Sequence, residues 1–391
     1  MLEDDSGRIR LVGNALKDHF LVTGCIIAVM GTENANGDFE VIDLKIADLA
    51  PQPDRWAISK RPSNGAAKTK VKDEDVDMTS RGQPSKKVAI VSGLEFSGTD
   101  TSYTMELNLL LEFLLGEALD STAQSELAQI SRLIIAGNSI AKPSDHTDTT
   151  GDKKAHKKYG YDASSYNQLP SQLLDTFLST LLPTMPVTLL PGTLDPANAS
   201  YPQQPIHPAM FPQARTYASL PGAAAASSEP GWFDPVTNPW EGEVEGWRVL
   251  GTGGQNLDDV CKYVDSNDRL GMMEAMCRWR CSAPTAPDTL CKTTSFLSSF
   301  LPLSFRRFGD QTANKQSGSY PFQDDEPFVM KECPHLYFVG SQDEFGTKVI
   351  EGPQGQMVRL ILVPSFAATR EIVLVDTETL DVSKVKISAS V

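Results

Sequence analysis

In the second part of the chain, short apolar runs alternate with longer stretches of helical spacing. The runs at 88–91, 133–136 and Val187–Leu190 are almost continuously apolar, which is typical of strands buried on both faces. Between them, 103–119 and 169–182 carry leucines three and four residues apart, which predicts two amphipathic helices. This order predicts a central sheet covered by helices, with ligand loops at the carboxyl ends of the strands.

The first 49 residues have a different pattern, of shorter apolar runs separated by turn signals. Leu2–Asp4 and 8–12 flank Asp5-Ser6-Gly7, and 21–30 and 39–49 flank a second turn at 34–38. This pattern predicts a small barrel of the oligonucleotide-binding (OB) type. An OB-fold has five strands and about four are recognisable, so we expect the sequence to begin inside the barrel, which then lacks an N-terminal piece.

Nucleic-acid binding by this barrel is the alternative to a structural role. Binding of single strands requires a basic groove with exposed stacking aromatics. Phe20 and Phe39 instead lie on otherwise apolar strands, with more acidic than basic residues around them. The pattern favours core packing for both rings.

Two segments interrupt these patterns. Residues 59–87 are rich in Lys, Asp, Ser, Gly and Pro, which predicts a disordered linker. Residues 291–319 carry an apolar run that is unexpected for a loop, and we interpret them as an insertion of doubtful origin, either lineage-specific or retained non-coding sequence. The domains expected are therefore 1–58, the barrel, and 88–391, the α/β domain.

The C-terminal part is rich in β-branched residues. The stretches 359–363 and 371–387 cluster or alternate these residues around the turn signal Thr377-Glu378-Thr379. We expect both stretches to complete the second sheet of a sandwich.

Composition narrows the class of protein. The chain has 391 residues, 40% of them hydrophobic, which is enough for a substantial core in about two domains. A formal net charge of -15 opposes broad binding to a phosphate backbone. No apolar run approaches the roughly 20 residues that span a bilayer, and the first residues are acidic, so we expect an intracellular protein with no membrane association.

The six cysteines do not form a recognisable metal-binding motif. Cys277 and Cys281 are one helical turn apart, with Cys261 and Cys291 nearby, but no CxxC pair occurs. Reduced, partly buried thiols are favoured over a zinc site, which stays an alternative.

The loops after the three predicted strands carry the candidate chemistry. A two-metal phosphoesterase of the calcineurin type places Asp-x-His, Gly-Asp and Gly-Asn-His after its first three strands. Here the first strand is followed by Gly93 and Glu95, the second by Asn138, and the third by Thr193 and Leu194. Glycine, amide, hydroxyl and methyl groups do not supply the anionic oxygens that two adjacent divalent cations need.

Isolated histidines and serines add little to this set. His207 and His335 are the candidates for a surviving ligand, but a histidine without companions more often has a structural role. Ser92 and Ser341 have no accompanying histidine and carboxylate pattern, so the sequence does not predict a catalytic triad.

Long, non-repetitive motifs give the chain a family resemblance. These are PGTLDPANASYPQQPIHPAMFP at 191–212, LGTGGQNLDDVCKY at 250–263, the stretches 268–290 and 320–348, and LVTGCIIAVMG in the predicted barrel. They closely resemble the B-subunit family of eukaryotic replicative DNA polymerases, above all its delta branch, over nearly the whole chain.

The resemblance implies an α/β (α+β) fold in which an OB-fold barrel packs on an inactivated calcineurin-like phosphoesterase sandwich of two sheets with flanking helices. The implied former metal-site positions are Gly93, Glu95, Asn138, Thr193, Leu194 and His207, with no catalytic residue, bound metal or cofactor. Among the tryptophans, Trp232 and Trp240 are candidates for a partner interface and Trp279 for the core.

The resemblance also implies a function and partners. It predicts a nuclear, non-catalytic subunit that bridges the C-terminal domain of the polymerase delta catalytic subunit to a third, clamp-binding subunit in DNA replication and repair. It further implies that the chain also binds the catalytic subunit of polymerase zeta in translesion synthesis. The sliding clamp and DNA are expected to contact the chain only through the complex. The alternatives are a metal-dependent phosphodiesterase or exonuclease, and a single-stranded DNA-binding module.

Overall fold

The computed structural model describes residues 1–4, 7–57, 59, 86–98, 103–117, 129–141, 167–198, 200–219, 231–264, 266–286, 318–319 and 326–388. The predicted linker, apart from residues 59, 86 and 87, and the predicted insertion, apart from 318–319, lie outside these residues. None of the described helices is both long and apolar enough to cross a bilayer.

One six-stranded sheet, sheet A, contains the three strands predicted from apolar runs. Its order is β10-β8-β7-β6-β17-β18; β6, β7, β8 and β10 run parallel to one another, and β17 runs antiparallel to both of its neighbours, β6 and β18. The strands are β6 (Lys87–Val91), β7 (Ile130–Ala136), β8 (Val187–Leu190), β10 (Phe233–Pro235), β17 (Glu371–Asp376) and β18 (Val382–Lys386).

Two helices cover the outer face of sheet A. They are α1 (Thr104–Leu115) and α2 (Leu169–Leu181), and their buried leucines join Ala89, Val91 and Ile135 of the sheet in one core. The helix predicted over 103–119 ends earlier because Gly116 adopts φ 75 and its N–H closes back on the Phe113 carbonyl.

A second sheet of five strands, sheet B, faces the first. Its order is β11-β12-β14-β16-β15, formed by β11 (Trp240–Val244), β12 (Trp247–Thr252), β14 (Leu336–Gln342), β15 (Gly346–Glu351) and β16 (Met357–Pro364). Ile90, Ile134 and Leu190 of sheet A pack against Val249, Phe338 and Ile361 of sheet B. The domain is therefore a mixed α/β sandwich, which confirms the expected class.

The outer face of sheet B carries its own helices. These are α3 (Gln255–Val260) and α4 (Arg269–Trp279), which pack through Leu257, Met272 and Met276 on Tyr337, Val339 and Leu360. A further two-stranded pairing joins β9 (Ser200–Tyr201) to β13 (Gly318–Ser319). Short 3-10 helices span Asn14–Asp18, Pro208–Met210 and Ala214–Tyr217.

The sheet assignment of the C-terminal strands was half wrong. β16 lies in sheet B as expected, but β17 and β18 belong to sheet A, where β17 pairs with β6. The chain crosses between the sheets through the short helix α5 (Phe366–Thr369), whose first residues donate to the carbonyls of Ser92 and Gly93. Phe366 is completely buried in the core of sheet A, which fixes the position of this crossover before β17.

The N-terminal module, residues 1–46, differs from the expected barrel. Its described residues form the hairpin β1 (Leu2–Asp4) and β2 (Gly7–Ile9) and a sheet ordered β3-β5-β4, from β3 (Leu11–Val12), β4 (Ile27–Glu33) and β5 (Phe39–Ile46). No closed barrel is formed among these described strands. The strand expected at 21–30 begins only at Ile27, because Phe20, Val22 and Cys25 pack on the core outside sheet B instead. The expectation that Phe20 is a packing residue is confirmed.

A connecting segment, residues 47–57, fixes the N-terminal module to the sandwich. The Arg280 guanidinium donates to the carbonyls of Asp48 at 2.7 Å, Leu49 at 3.1 Å and Ala47 at 3.2 Å. The Gln52 amide bonds both the N–H and the carbonyl of Met357 in sheet B. Leu49 and Ala50 are each 2% exposed, so the segment is also part of the core.

The segment ends in a contact with both sheets. The Arg55 guanidinium lies over the Trp247 ring at 4.4 Å and donates to the Thr377 carbonyl, next to sheet A, at 2.9 Å. It also donates to the carbonyl of Glu245, in the turn between β11 and β12 of sheet B. These contacts lie where the parallel strands β6 and β12 begin.

Candidate functional site at the strand ends

The carboxyl ends of the parallel strands from both sheets meet at one place. Gly137, after β7, approaches two other loops so closely that an added Cβ would lie 3.0 Å from the Cα of Gly253 and 3.1 Å from that of Gly192. Backbone groups of the loops after β6 and β7 also pair, with Glu95 N–H donating to the Asn138 carbonyl at 3.0 Å. Glycine at position 137 is what permits this convergence, since its φ is 85.

Four polar side chains lie at this convergence: Ser92, Asn138, Asp195 and Ser341, here called the strand-end cluster. The Ser92 hydroxyl donates to the Ala136 carbonyl at 2.6 Å and accepts the Ser341 N–H at 2.7 Å. The two serine hydroxyl oxygens are 3.2 Å apart. The Asn138 amide donates to Ser341 Oγ at 2.8 Å and accepts the Leu194 N–H at 3.0 Å.

Asp195 supplies the buried carboxylate of the cluster. Its two oxygens accept the N–H groups of Ile140 at 2.9 Å and Gly192 at 2.7 Å, which ties the loop after β8 to the loop after β7. Complete burial raises the pKa of Asp195 to about 6, and the backbone N–H donors only partly offset that effect. The carboxylate therefore acts as a brace between loops.

A network of three buried amides lies beside the cluster. Asn238 Nδ2 lies within hydrogen-bond distance of the side-chain oxygens of Gln203 and Gln255 and of the Pro191 carbonyl, at 2.9–3.0 Å. Its own oxygen accepts the Gly253 N–H at 3.1 Å. This network cannot be predicted from the sequence, because neutral amides scattered over loops have no period and match no ligand motif.

Four of the predicted former metal-site positions come together here. Gly93 is buried against the Ser365 side chain, Glu95 and Asn138 pair through their backbones, and Leu194 donates to Asn138. Partial burial raises the pKa of Glu95, which a hydrogen bond from Ser365 opposes.

The other two positions do not contribute polar side chains to the cluster. Thr193 is exposed, and His207 is exposed as the cap of the 3-10 helix at 208–210, with its Nδ1 accepting the Ala209 N–H at 3.2 Å. His335 also has a structural role, since its Nδ1 accepts the Arg248 N–H at 3.2 Å and its ring contacts Trp247. Burial lowers the pKa of His335.

Metal ligands do not assemble elsewhere in the described part of the chain. Within it, no group of three or more His, Cys, Asp and Glu side chains has an arrangement that could hold a metal ion. Its five cysteines are free thiols, and burial raises the pKa of Cys277 far above its usual range. Cys291 lies outside the described residues.

The tryptophans divide between core and surface. Trp279 is 5% exposed in the core outside sheet B, as predicted. Trp232 is 38% exposed at the start of the edge strand β10. Trp240 is half-buried, packs on the core between the sheets and covers Gly242.

These features define a two-sheet α/β protein with an attached N-terminal strand module and loops locked together at its strand ends. A sequence profile that describes the B subunits of DNA polymerases alpha and epsilon matches residues 88–347, and one described as DNA polymerase delta subunit OB-fold domain matches residues 1–44.

Individual relatives agree with these profiles. The chain is 34% identical to the DNA polymerase delta small subunit of Arabidopsis thaliana over 100% of its own length and 73% of that protein. It is 33% identical to the protein of that name from Oryza sativa, over 100% of this chain and 74% of the relative. The Saccharomyces cerevisiae protein of that name is 31% identical, over 99% and 70%. The chain belongs to the DNA polymerase delta small-subunit family.

Proposed function

We propose that this chain is a non-catalytic accessory subunit of DNA polymerase delta that bridges the C-terminal domain of the catalytic subunit to a third, clamp-binding subunit. Its place is the nucleus, in DNA replication and repair, and it also serves the polymerase zeta catalytic subunit in translesion synthesis. The sliding clamp and DNA are reached through the complex. The family membership and the closed strand-end cluster support this proposal.

The hydrogen bonding of the strand-end cluster is the observation that supports a non-catalytic role. Asn138 uses both ends of its amide, Ser92 both donates and accepts, and Asp195 uses both oxygens on backbone N–H groups. A pair of divalent cations needs several anionic oxygens directed at one point. Glu95 is the remaining carboxylate among the predicted positions, and one carboxylate does not neutralise two such ions.

The bridging part rests on how the two modules are joined. Hydrogen bonds from Arg280 and Gln52 and the burial of Leu49 fix the connecting segment, so the N-terminal module and the sandwich form one continuous surface. A surface of fixed shape loses little conformational freedom on binding, which favours stable association. The exposed Trp232 and the half-buried Trp240 are the proposed aromatic contacts.

Co-purification with metal analysis tests both parts. The full chain is mixed with the isolated C-terminal domain of the catalytic subunit, and we expect a stoichiometric complex in size-exclusion chromatography. Failure to associate at micromolar concentration would refute the bridging role. Trp232→Ala is expected to weaken the complex, and the fluorescence of the four remaining tryptophans, which include the buried Trp279, checks that the variant is folded.

The enzymatic alternative is tested on the same preparation. With manganese added, we expect no metal-dependent hydrolysis of bis(p-nitrophenyl) phosphate or of a single-stranded oligonucleotide. Stoichiometric manganese together with hydrolysis that disappears in Glu95→Gln would establish the phosphodiesterase instead. A fluorescent oligonucleotide at low salt tests the single-strand-binding alternative, for which we expect no saturable signal.

A further inference from the structure

A second group of buried polar side chains lies outside sheet B, next to the amide network, since Thr252 precedes Gly253 and Asn256 follows Gln255. It consists of Tyr201, Thr252, Asn256 and Tyr337, all of them 0% exposed. The Tyr201 hydroxyl, Thr252 Oγ1 and Asn256 Oδ1 each lack a hydrogen bond of good geometry among the described protein atoms, and Thr252 lies close enough to the Tyr337 hydroxyl to oppose the rise in its pKa that burial causes. Buried polar atoms in native proteins are almost always bonded, so three such atoms together require an explanation.

The fold brings these four side chains to one face. Leu250 of β12 pairs with Tyr337 of β14, and Thr252 follows two residues later, on the same face of the strand. Asn256, in the first turn of α3, donates to the Tyr337 hydroxyl at 3.1 Å and to the Ser282 carbonyl at 2.7 Å.

Tyr201 reaches the group from the short strand β9. Its ring stacks on Phe328 with centroids 5.4 Å apart and packs on Ala283 and Ala286, which follow Ser282. Burial raises the pKa of Tyr201 well above its usual range. Ser282 accepts the hydrogen bond from Asn256, so Tyr201 packs on the segment to which Asn256 is bonded.

The hydrogen-bonding capacities of the four groups are complementary to those of water. Tyr201 and Tyr337 each have a hydroxyl proton to donate, Asn256 Oδ1 accepts, and Thr252 does either. A water molecule accepts two hydrogen bonds and donates two. We propose that a buried water molecule binds among Tyr201, Thr252, Asn256 and Tyr337 and joins β9 to sheet B and α3.

A metal cation is a poorer occupant of this position. The four side chains are neutral, and the nearest carboxylate of α3, Asp259, is already bonded to Thr285 and Lys262. Placing an unneutralised charge in the core is far more costly than placing a water there.

Removal of the Tyr201 hydroxyl tests the proposal, because the direction in which the thermal midpoint changes depends on whether the water is bound. If the Tyr201 hydroxyl were truly unpaired, Tyr201→Phe would relieve a buried polar group and raise the thermal midpoint. If it binds the proposed water, the same change leaves that water without one of its hydrogen-bond partners and lowers the midpoint by roughly 2–4 °C. Tyr217→Phe, at a half-buried position, is the matched control and is expected to leave the midpoint unchanged. An unchanged or raised midpoint in Tyr201→Phe would overturn the proposal.

A double variant and a crystal structure complete the test. Thr252→Val keeps the side-chain shape, and combined with Tyr201→Phe it should lower the midpoint by less than the sum of the single changes, because both lose the same water. Strict additivity would contradict a shared molecule. In a high-resolution crystal structure of the full chain, we expect a density peak about 2.7–3.2 Å from these oxygens. No peak, or one coordinated at about 2.3–2.6 Å as a cation would be, would refute it.

Discussion

The strand-end cluster and the N-terminal module differ in which side chains they bury and which they expose. At the strand ends, polar side chains point inward and are satisfied by one another or by backbone groups: Asn138 bonds Ser341, while Ser92 and Asp195 bond the backbone. On the N-terminal module, apolar side chains point outward, with Ile26 80% exposed, Ile42 65% and Met30 60%. The region that would hold reactive groups in an enzyme is closed, while the surface open to other molecules is apolar. In such a protein, recognition is expected from outer faces.

The largest expected effect comes from separating these two regions at their joint. Arg280→Met keeps the length of the side chain and removes its three hydrogen bonds to the connecting segment. We expect the free energy of unfolding in urea to fall by about 2–4 kcal/mol. Arg8→Met is the control, since the Arg8–Glu3 ion pair is exposed and its loss should cost under about 1 kcal/mol. Equal effects of the two substitutions would show that the joint contributes little.

The second effect is the pH dependence created by Asp195. Its pKa of about 6 in the folded chain lies above the value of about 3.9 expected when unfolded, so the folded state binds an additional proton between these values. As pH falls from 7 to 4, wild type should gain about 2–3 kcal/mol of stability relative to Asp195→Asn, which does not titrate. The measurement is urea unfolding of both proteins across that range. A difference that stays constant with pH would mean that Asp195 is not buried as described.

The third effect opens the strand-end cluster itself. Asn138→Gly removes both amide hydrogen bonds while accepting the backbone φ of 52 without strain. We expect a loss of about 1–2 kcal/mol in unfolding free energy, measured by chemical denaturation. A loss below about 0.5 kcal/mol would indicate that water replaces the amide, and that the cluster is more open than its hydrogen bonds suggest.

The smallest effect belongs to the outer face of the N-terminal module. Ile42→Asn should change the free energy of unfolding by less than about 0.5 kcal/mol, because the side chain is 65% exposed. Val41→Asn, one residue earlier in β5 and 4% exposed, is the matched variant and should cost more than about 2 kcal/mol. Comparable losses at both positions would show that the outer face is covered.

Local patterns were sufficient for the strands and helices of the sandwich. The strand at Val187–Leu190 has the predicted bounds because an apolar run stops at Pro191, and α2 ends one residue from its predicted end. Which sheet a strand joins depends on contacts between residues distant in sequence, so the expectation that β17 and β18 complete the second sheet is wrong. The crossover before them is held by Phe366, which packs against residues far away in sequence.

The same distinction applies to the candidate site. Gly93, Asn138 and Leu194 were located because they follow strands, and the carboxyl ends of parallel strands share an edge. The separate position of His207 depends on the path of a loop, and its role as a helix cap is visible only in three dimensions. The pairing of Ser92 with Ser341 joins residues 249 positions apart, which no pattern along the chain predicts.

The single guanidinium of Arg55 has a consequence for how the sandwich responds to load. It bonds the carbonyl of Thr377 beside sheet A and that of Glu245 in sheet B, at the end where the parallel strands begin. The serine and asparagine contacts hold the two layers together at the other end. Fastened at both ends, the two sheets resist sliding past each other, so a force applied to sheet A is transmitted to sheet B with little shear.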